Sequence, residues 1–209
     1  MTARIEVAPG VMHWPGWLDR AQQEALVADL REVVRAAPLF TPIMPRTGTP
    51  FSVRMSNCGT LGWVSDKLGG YRYQPLHPET GQPWPAIPPA LLAAWAALAE
   101  FPHPPEACLI NHYVATAKMG LHQDRDEANF SAPVLSLSLG DTAVFRIGGT
   151  TRGGKTISLK LQSGDALLFG GPARLAFHGI DRVLPGSSTL LPQEGRINLT
   201  LRRVTAVSS

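Results

Sequence analysis

The chain has 209 residues, 44% hydrophobic and only 17% charged, with a formal charge of +3. That length fits one domain with a sizeable core, and the balance excludes a disordered chain or a coiled coil. Twenty glycines and nineteen prolines, with no collagen period and no low-complexity tract, must punctuate many short elements.

The first 14 residues lack the apolar stretch of a signal peptide. Residues 18–36 read as a helix, with Leu26, Leu30, Val33 and Val34 on one stripe, Asp19 at its start and Pro38 beyond its end. Residues 51–57 alternate Phe51, Val53 and Met55 against Ser52, Arg54 and Ser56, which predicts a strand. From Cys58 to Pro89 the sequence is irregular, Gly- and Pro-rich, and carries Trp63, Tyr71, Tyr73 and Trp84. A long aromatic loop of that kind implies a task. Pro88 and Pro89 open a second helix that runs to about Glu100.

From Ala107 the period becomes two. Expected strands are 107–114, 118–124, 133–139, 143–147, 156–161, 166–169, 175–178 and 196–204. Eight short strands at this spacing predict an α+β chain, mainly β, whose second half is a sandwich or jelly roll. The sequence divides into an N-terminal support (1–50), an aromatic segment (51–90) and a β core (107–204), all within one domain. Cys58 and Cys108 are too few for a disulfide framework and lack metal-pair spacing. The longest apolar run, residues 90–99, is too short to span a bilayer. These features predict a soluble, cytoplasmic monomer in a reducing compartment.

Alternation along residues 118–124 puts His122 and Asp124 on one face, their backbones about 6–7 Å apart. Such a tripeptide is ordinarily a surface His beside a solvated Asp. His178 ends the apolar run Leu175-Ala-Phe, where its ring nitrogens need partners; a hydrogen-bonded core His would satisfy that equally. Together the three offer two imidazoles and a carboxylate, a set that suits non-haem Fe(II) and also accommodates zinc.

Arg196, Asn198, Thr200 and Arg202 share one face of the last strand. A polar row facing water is the plain alternative. Asn111 and Tyr113 form a second polar row, and Ser136 lies in an apolar setting. If these rows face inward, two guanidinium groups beside a metal ask for a chelating dicarboxylate such as 2-oxoglutarate.

Asn111-His-Tyr113, Leu121-His-Gln-Asp-Arg-Asp-Glu127, His178-Gly-Ile180 and Arg196-Ile-Asn-Leu-Thr-Leu-Arg202 resemble the AlkB family. The resemblance extends through residues 52–59, 61–63 and 83–85, and so covers most of the chain from Phe51 to Arg203. It implies a double-stranded β-helix with a nucleotide-recognition lid, and an Fe(II)- and 2-oxoglutarate-dependent dioxygenase. The implied reaction is oxidative dealkylation of bases such as 1-methyladenine and 3-methylcytosine, in single-stranded DNA, RNA or flipped from a duplex. It consumes 2-oxoglutarate and O2 and releases succinate, CO2 and formaldehyde.

By this resemblance His122, Asp124 and His178 hold iron. Asn111, Tyr113, Ser136, Arg196, Asn198, Thr200 and Arg202 surround 2-oxoglutarate, and Trp63, Tyr71, Tyr73, Asp126 and Arg152 contact the base. Departures from the family pattern at His112, in the loop 68–70 and at Phe169 spare the metal and cosubstrate residues. Two other readings stay open: a 2-oxoglutarate hydroxylase of a protein or small molecule, and a non-catalytic nucleic-acid-binding module.

Overall fold

The computed structural model describes residues 3–206. Strands β1 (Ile5–Ala8) and β2 (Val11–Trp14) form a hairpin ahead of helix α1 (Arg20–Ala36). Asp19 caps the helix: its carboxylate accepts from the Gln22 N–H at 2.8 Å while Gln22 accepts from the Asp19 N–H at 2.9 Å, a reciprocal pair worth about 1 kcal/mol. Strand β3 (Arg54–Gly59) precedes a second hairpin, β4 (Gly62–Asp66) and β5 (Gly70–Gln74), and helix α2 (Pro89–Leu98) follows. The core strands are β6 (Ala107–Tyr113), β7 (Met119–His122), β8 (Val134–Gly140), β9 (Thr142–Ile147), β10 (Ile157–Leu161), β11 (Ala166–Phe169), β12 (His178–Leu184) and β13 (Arg196–Arg202).

These strands form a seven-stranded sheet in the order β1-β2-β11-β8-β13-β6-β3 and a four-stranded sheet in the order β10-β9-β12-β7. All pairings are antiparallel. Two apolar layers result. Leu135, Leu137, Leu139, Leu199 and Leu201 pack with Leu26, Leu30 and Leu91 of the two helices. On the opposite face of the same sheet, Val134 and Leu109 join Phe145, Ile147 and Ile180 of the smaller sheet. This is the expected two-layer β fold with helices outside.

Four details differ from the sequence reading. The hairpin β1–β2 escaped notice because β1, exposed at Ile5 and Glu6 and half-buried at Val7 and Ala8, shows no two-residue alternation. Residues 58–89 are not uniformly irregular, since they include β4 and β5, paired from Gly62↔Gln74 to Asp66↔Gly70. Strand β7 stops at His122, so Asp124 and Asp126 stand in the loop beyond it. Residues 175–177 are not a strand: a short 3-10 turn at Gly171–Ala173 precedes them, and His178 opens β12 instead of closing an earlier strand.

Candidate active site

Side-chain parity builds the site. In β13 the apolar Leu199 and Leu201 face the helices, which turns Arg196, Asn198, Thr200 and Arg202 between the two sheets. The polar row is therefore interior: Arg196 is fully buried, and Thr200 and Arg202 are nearly so. Register then aligns the neighbours, with Asn198 opposite Asn111 on β6 and Thr200 opposite Ser136 on β8. All of them line a cavity of about 430 Å³, shared with His122 and His178 from the other sheet and with Asp124 from the loop after β7.

His122 and His178 are cross-strand partners on β7 and β12, with ring centroids 4.5 Å apart. Each imidazole donates its Nδ1–H to a backbone carbonyl two residues back, His122 to Gly120 and His178 to Ala176, both at 2.9 Å. That fixes the tautomer and leaves both Nε2 lone pairs directed at Asp124. The Nε2 atoms lie 3.7 and 3.8 Å from the two Asp124 oxygens. The three ligand atoms fall within 4.8 Å of one another, a spacing that could hold a metal ion. Burial, reinforced by His122, lowers the pKa of His178 to about 4, so it is neutral and able to ligate at pH 7. Burial opposes ionisation of Asp124, but the Arg202 guanidinium outweighs it and keeps the carboxylate ionised.

The two arginines of β13 differ in their partners. Arg202 Nη2 forms an ion pair with Asp124 Oδ2 at 2.7 Å and its Nε lies 3.5 Å from Glu127, although neither Asp124 Oδ2 nor Arg202 Nε has a hydrogen-bond partner among the described residues. Its carboxylates are the protein's own. Arg196 bonds only neutral groups: Ser138 Oγ at 2.7 Å and the carbonyls of Leu161 and Asp141 at 3.2 and 3.4 Å. Burial lowers its pKa to about 10, which still leaves it charged at neutral pH. Its Nε and the nearby Asn111 Oδ1 are buried without a hydrogen-bond partner among the described residues. A buried cation with unused polar capacity, beside a His2Asp cluster, fits an anionic chelator and a divalent ion.

The hairpin β4–β5 closes one side. Trp63 and Tyr71 stack with centroids 5.7 Å apart, and both line the cavity. Tyr71 is half-exposed, so that side reaches the surface. Trp63 donates its indole N–H to Asp126 at 2.8 Å.

Two residues expected at the base stand elsewhere. Tyr73 does not line the cavity; its hydroxyl is tied to Glu127 and Arg202. Arg152 lies over the ring of Phe177 at 5.2 Å, beside a separate small recess walled by Gly148, Gly149 and Gly153. Phe169, one of the three departures, packs on His178 with centroids 4.6 Å apart, so it touches a metal-cluster residue after all. Sequence reasoning quoted Glu127 only as the end of a motif, with no role, and passed over Arg174; their buried ion pair spans 47 positions and leaves no local pattern. It also missed the apolar walls of the cavity, Leu109, Phe145 and Leu161, which read simply as core.

Comparison with known proteins agrees with this geometry. The 2OG-Fe(II) oxygenase superfamily model matches residues 10–202. The alpha-ketoglutarate-dependent dioxygenase AlkB homolog of Caulobacter vibrioides is 57% identical over 199 residues, covering 95% of this chain and 90% of that protein. The alpha-ketoglutarate-dependent dioxygenase AlkB of Escherichia coli is 41% identical over 184 residues, covering 86% and 84%. The solved structure of OsALKBH1 superposes with a TM-score of 0.80 at 31% identity, covering 96% of this chain and all of that one. The chain belongs to the AlkB family of the 2OG-Fe(II) oxygenase superfamily, a dioxygenase whose metal is Fe(II) and whose cosubstrates are 2-oxoglutarate and O2.

Proposed function

We propose that this protein removes alkyl groups oxidatively from nucleic-acid bases, with 1-methyladenine and 3-methylcytosine in single-stranded DNA as its substrates. The observation that carries the reading is the join of an aromatic stack to a carboxylate at the cavity that holds the His2Asp cluster. Trp63 and Tyr71 offer a ring face, and Asp126 fixes the indole. Alkylation at adenine N1 or cytosine N3 leaves a cationic base, which an aromatic face and a nearby carboxylate both favour.

In this reading His122, Asp124 and His178 hold Fe(II). Arg196 grips the far carboxylate of 2-oxoglutarate, with Tyr113, Asn111, Asn198, Thr200, Ser136 and Arg202 around it. Iron with 2-oxoglutarate and O2 supplies the oxidant that hydroxylates the N-alkyl carbon, while 2-oxoglutarate leaves as succinate and CO2 and the alkyl group as an aldehyde. The protein contributes orientation: Trp63 and Tyr71 fix the ring plane, Asp126 stands where an exocyclic amine can donate, and the apolar walls limit water. The target base must leave its stack to reach this depth, which favours single strands. Among the described residues no helix is long and apolar enough to cross a membrane.

The test is incubation with Fe(II), 2-oxoglutarate and a 1-methyladenine oligonucleotide, with formaldehyde and succinate assayed together. Equimolar release is expected, abolished by His178→Ala. Succinate without formaldehyde across methylated DNA and RNA would overturn the substrate assignment. Undiminished turnover by the variant would overturn the metal assignment.

A further inference from the structure

Two buried cations and two buried anions gather around the metal-site carboxylate. Arg202 contacts Asp124 at 2.7 Å and Glu127 at 3.5 Å. Arg174 reaches Glu127 at 3.2 Å, and its other nitrogens bond the backbone carbonyls of Asp124 and Ala132, each at 2.8 Å. Tyr73 on β5 donates to Glu127 at 2.5 Å and accepts from Arg202 at 2.9 Å. The four charged side chains are between 1% and 7% exposed, so none of these contacts is a screened surface pair.

We infer that Glu127 is a positioning residue for the metal site: it shares the charge of Arg202, so that Asp124 is left free to ligate, and through Tyr73 it ties the β4–β5 hairpin to that site. The inference rests on the reading of His122, Asp124 and His178 as the iron ligands. Without Glu127, Arg202 would have Asp124 as its only carboxylate within the protein, and an entering metal ion would have to compete with a buried ion pair. Glu127 removes that competition, and Arg174 offsets the repulsion between the two carboxylates. Tyr73 reads the same arrangement from the hairpin, because its hydroxyl bonds both Glu127 and Arg202.

The charge argument gives effects of opposite sign on the two ligands. Glu127→Gln confines Arg202 to Asp124, so affinity for Mn(II), an O2-inert stand-in for Fe(II), falls on the order of tenfold. The same change adds one net positive charge beside the cavity, so 2-oxoglutarate, a dianion, binds several-fold more tightly once Mn(II) is saturating. Damage to the fold alone would weaken both. Glu127→Asp keeps the charge and recovers most of the metal affinity. Tyr73→Phe keeps every charge, so it leaves Mn(II) affinity near wild type while it loosens the hairpin.

Free Mn(II) is read by electron paramagnetic resonance and 2-oxoglutarate by calorimetry, both without turnover. Weakening of both ligands by Glu127→Gln, or of neither, overturns the inference. Wild-type protein supplies a test that needs no variant: Mn(II) with 2-oxoglutarate should slow hydrogen exchange in residues 70–74, and unchanged exchange there overturns the tie to the hairpin. Failure of the wild type to bind Mn(II) would instead sink the metal assignment, and this inference with it.

Discussion

The indole of Trp63 donates to Asp126 across 63 positions of sequence, at 2.8 Å. The bond joins the hairpin β4–β5 to the loop that carries Asp124, so the stacking ring is referenced to the metal cluster. Asp126→Ala leaves the indole N–H without its acceptor. A hydrogen bond to a charged group is worth ~1.5–3 kcal/mol, which corresponds to a rise of roughly ten- to a hundredfold in KM for a methylated oligonucleotide. Asp126→Asn retains an acceptor oxygen and should recover part of the loss. Equal KM values for the two variants would show that charge, and not the bond, carries the effect.

Gly179 allows β7 to approach β12. A Cβ at that position would stand 2.5 Å from the Met119 carbonyl oxygen and 2.8 Å from that of Gly120. Backbone cannot swing aside as a side chain does, so Gly179→Ala must push β7, and His122 with it, away from His178. Metal affinity should fall tenfold or more, with a loss of stability on the order of 1–3 kcal/mol. Mn(II) titration and urea unfolding measure the two effects. Wild-type affinity in the alanine variant would contradict the assigned packing.

Arg196 is the arginine that still lacks a carboxylate. Arg196→Met should raise KM for 2-oxoglutarate roughly tenfold to a hundredfold. Metal binding in the absence of cosubstrate should change little, since no atom of Arg196 bonds the triad. Parallel loss of metal and cosubstrate binding would place Arg196 in the metal site instead.

What the sequence conveyed depended on parity. A strand fixes which side chains share a face, so the rows Arg196–Arg202 and Asn111–Tyr113 were legible before their partners were known. His122 and Asp124 were paired by the same rule, although Asp124 reaches the cluster from a loop and not from the strand itself. His178 was found through its apolar setting, yet its place was inverted: Leu175-Ala-Phe has strand character, while the turn before it redirects the chain. The hairpin was hidden because aromatic and glycine residues serve pairing as readily as looping. The pairing of Glu127 with Arg174 was beyond reach, since a buried charge has meaning only beside its counterion.

Cys58 and Cys108 stand opposite each other on β3 and β6, both without exposure. The hydrogen bond with Cys58, together with burial, pushes the Cys108 thiol well above its ordinary range, and the thiolate is the reactive form. Neither should react with a thiol-specific disulfide reagent in native protein, and both should react in denaturant. Rapid labelling of the native state would show that β3 separates from β6 in solution.

The position of β13 has a consequence for how the molecule is assembled. It is the last strand described, yet it lies mid-sheet between β8 and β6. Until it arrives, those two strands have no bridge and the larger sheet remains two fragments. Arg196, Asn198 and Thr200, which we assign to 2-oxoglutarate, are on this same strand and their companions Asn111, Tyr113 and Ser136 are on its two neighbours, so the cosubstrate cannot be held before the sheet has closed. Maturation of the binding site and completion of the fold are then one event. Pairing of such long range is slow to form, and 2-oxoglutarate added during refolding should trap its product. Amides of β6, β8 and β13 should accordingly exchange as a single unit.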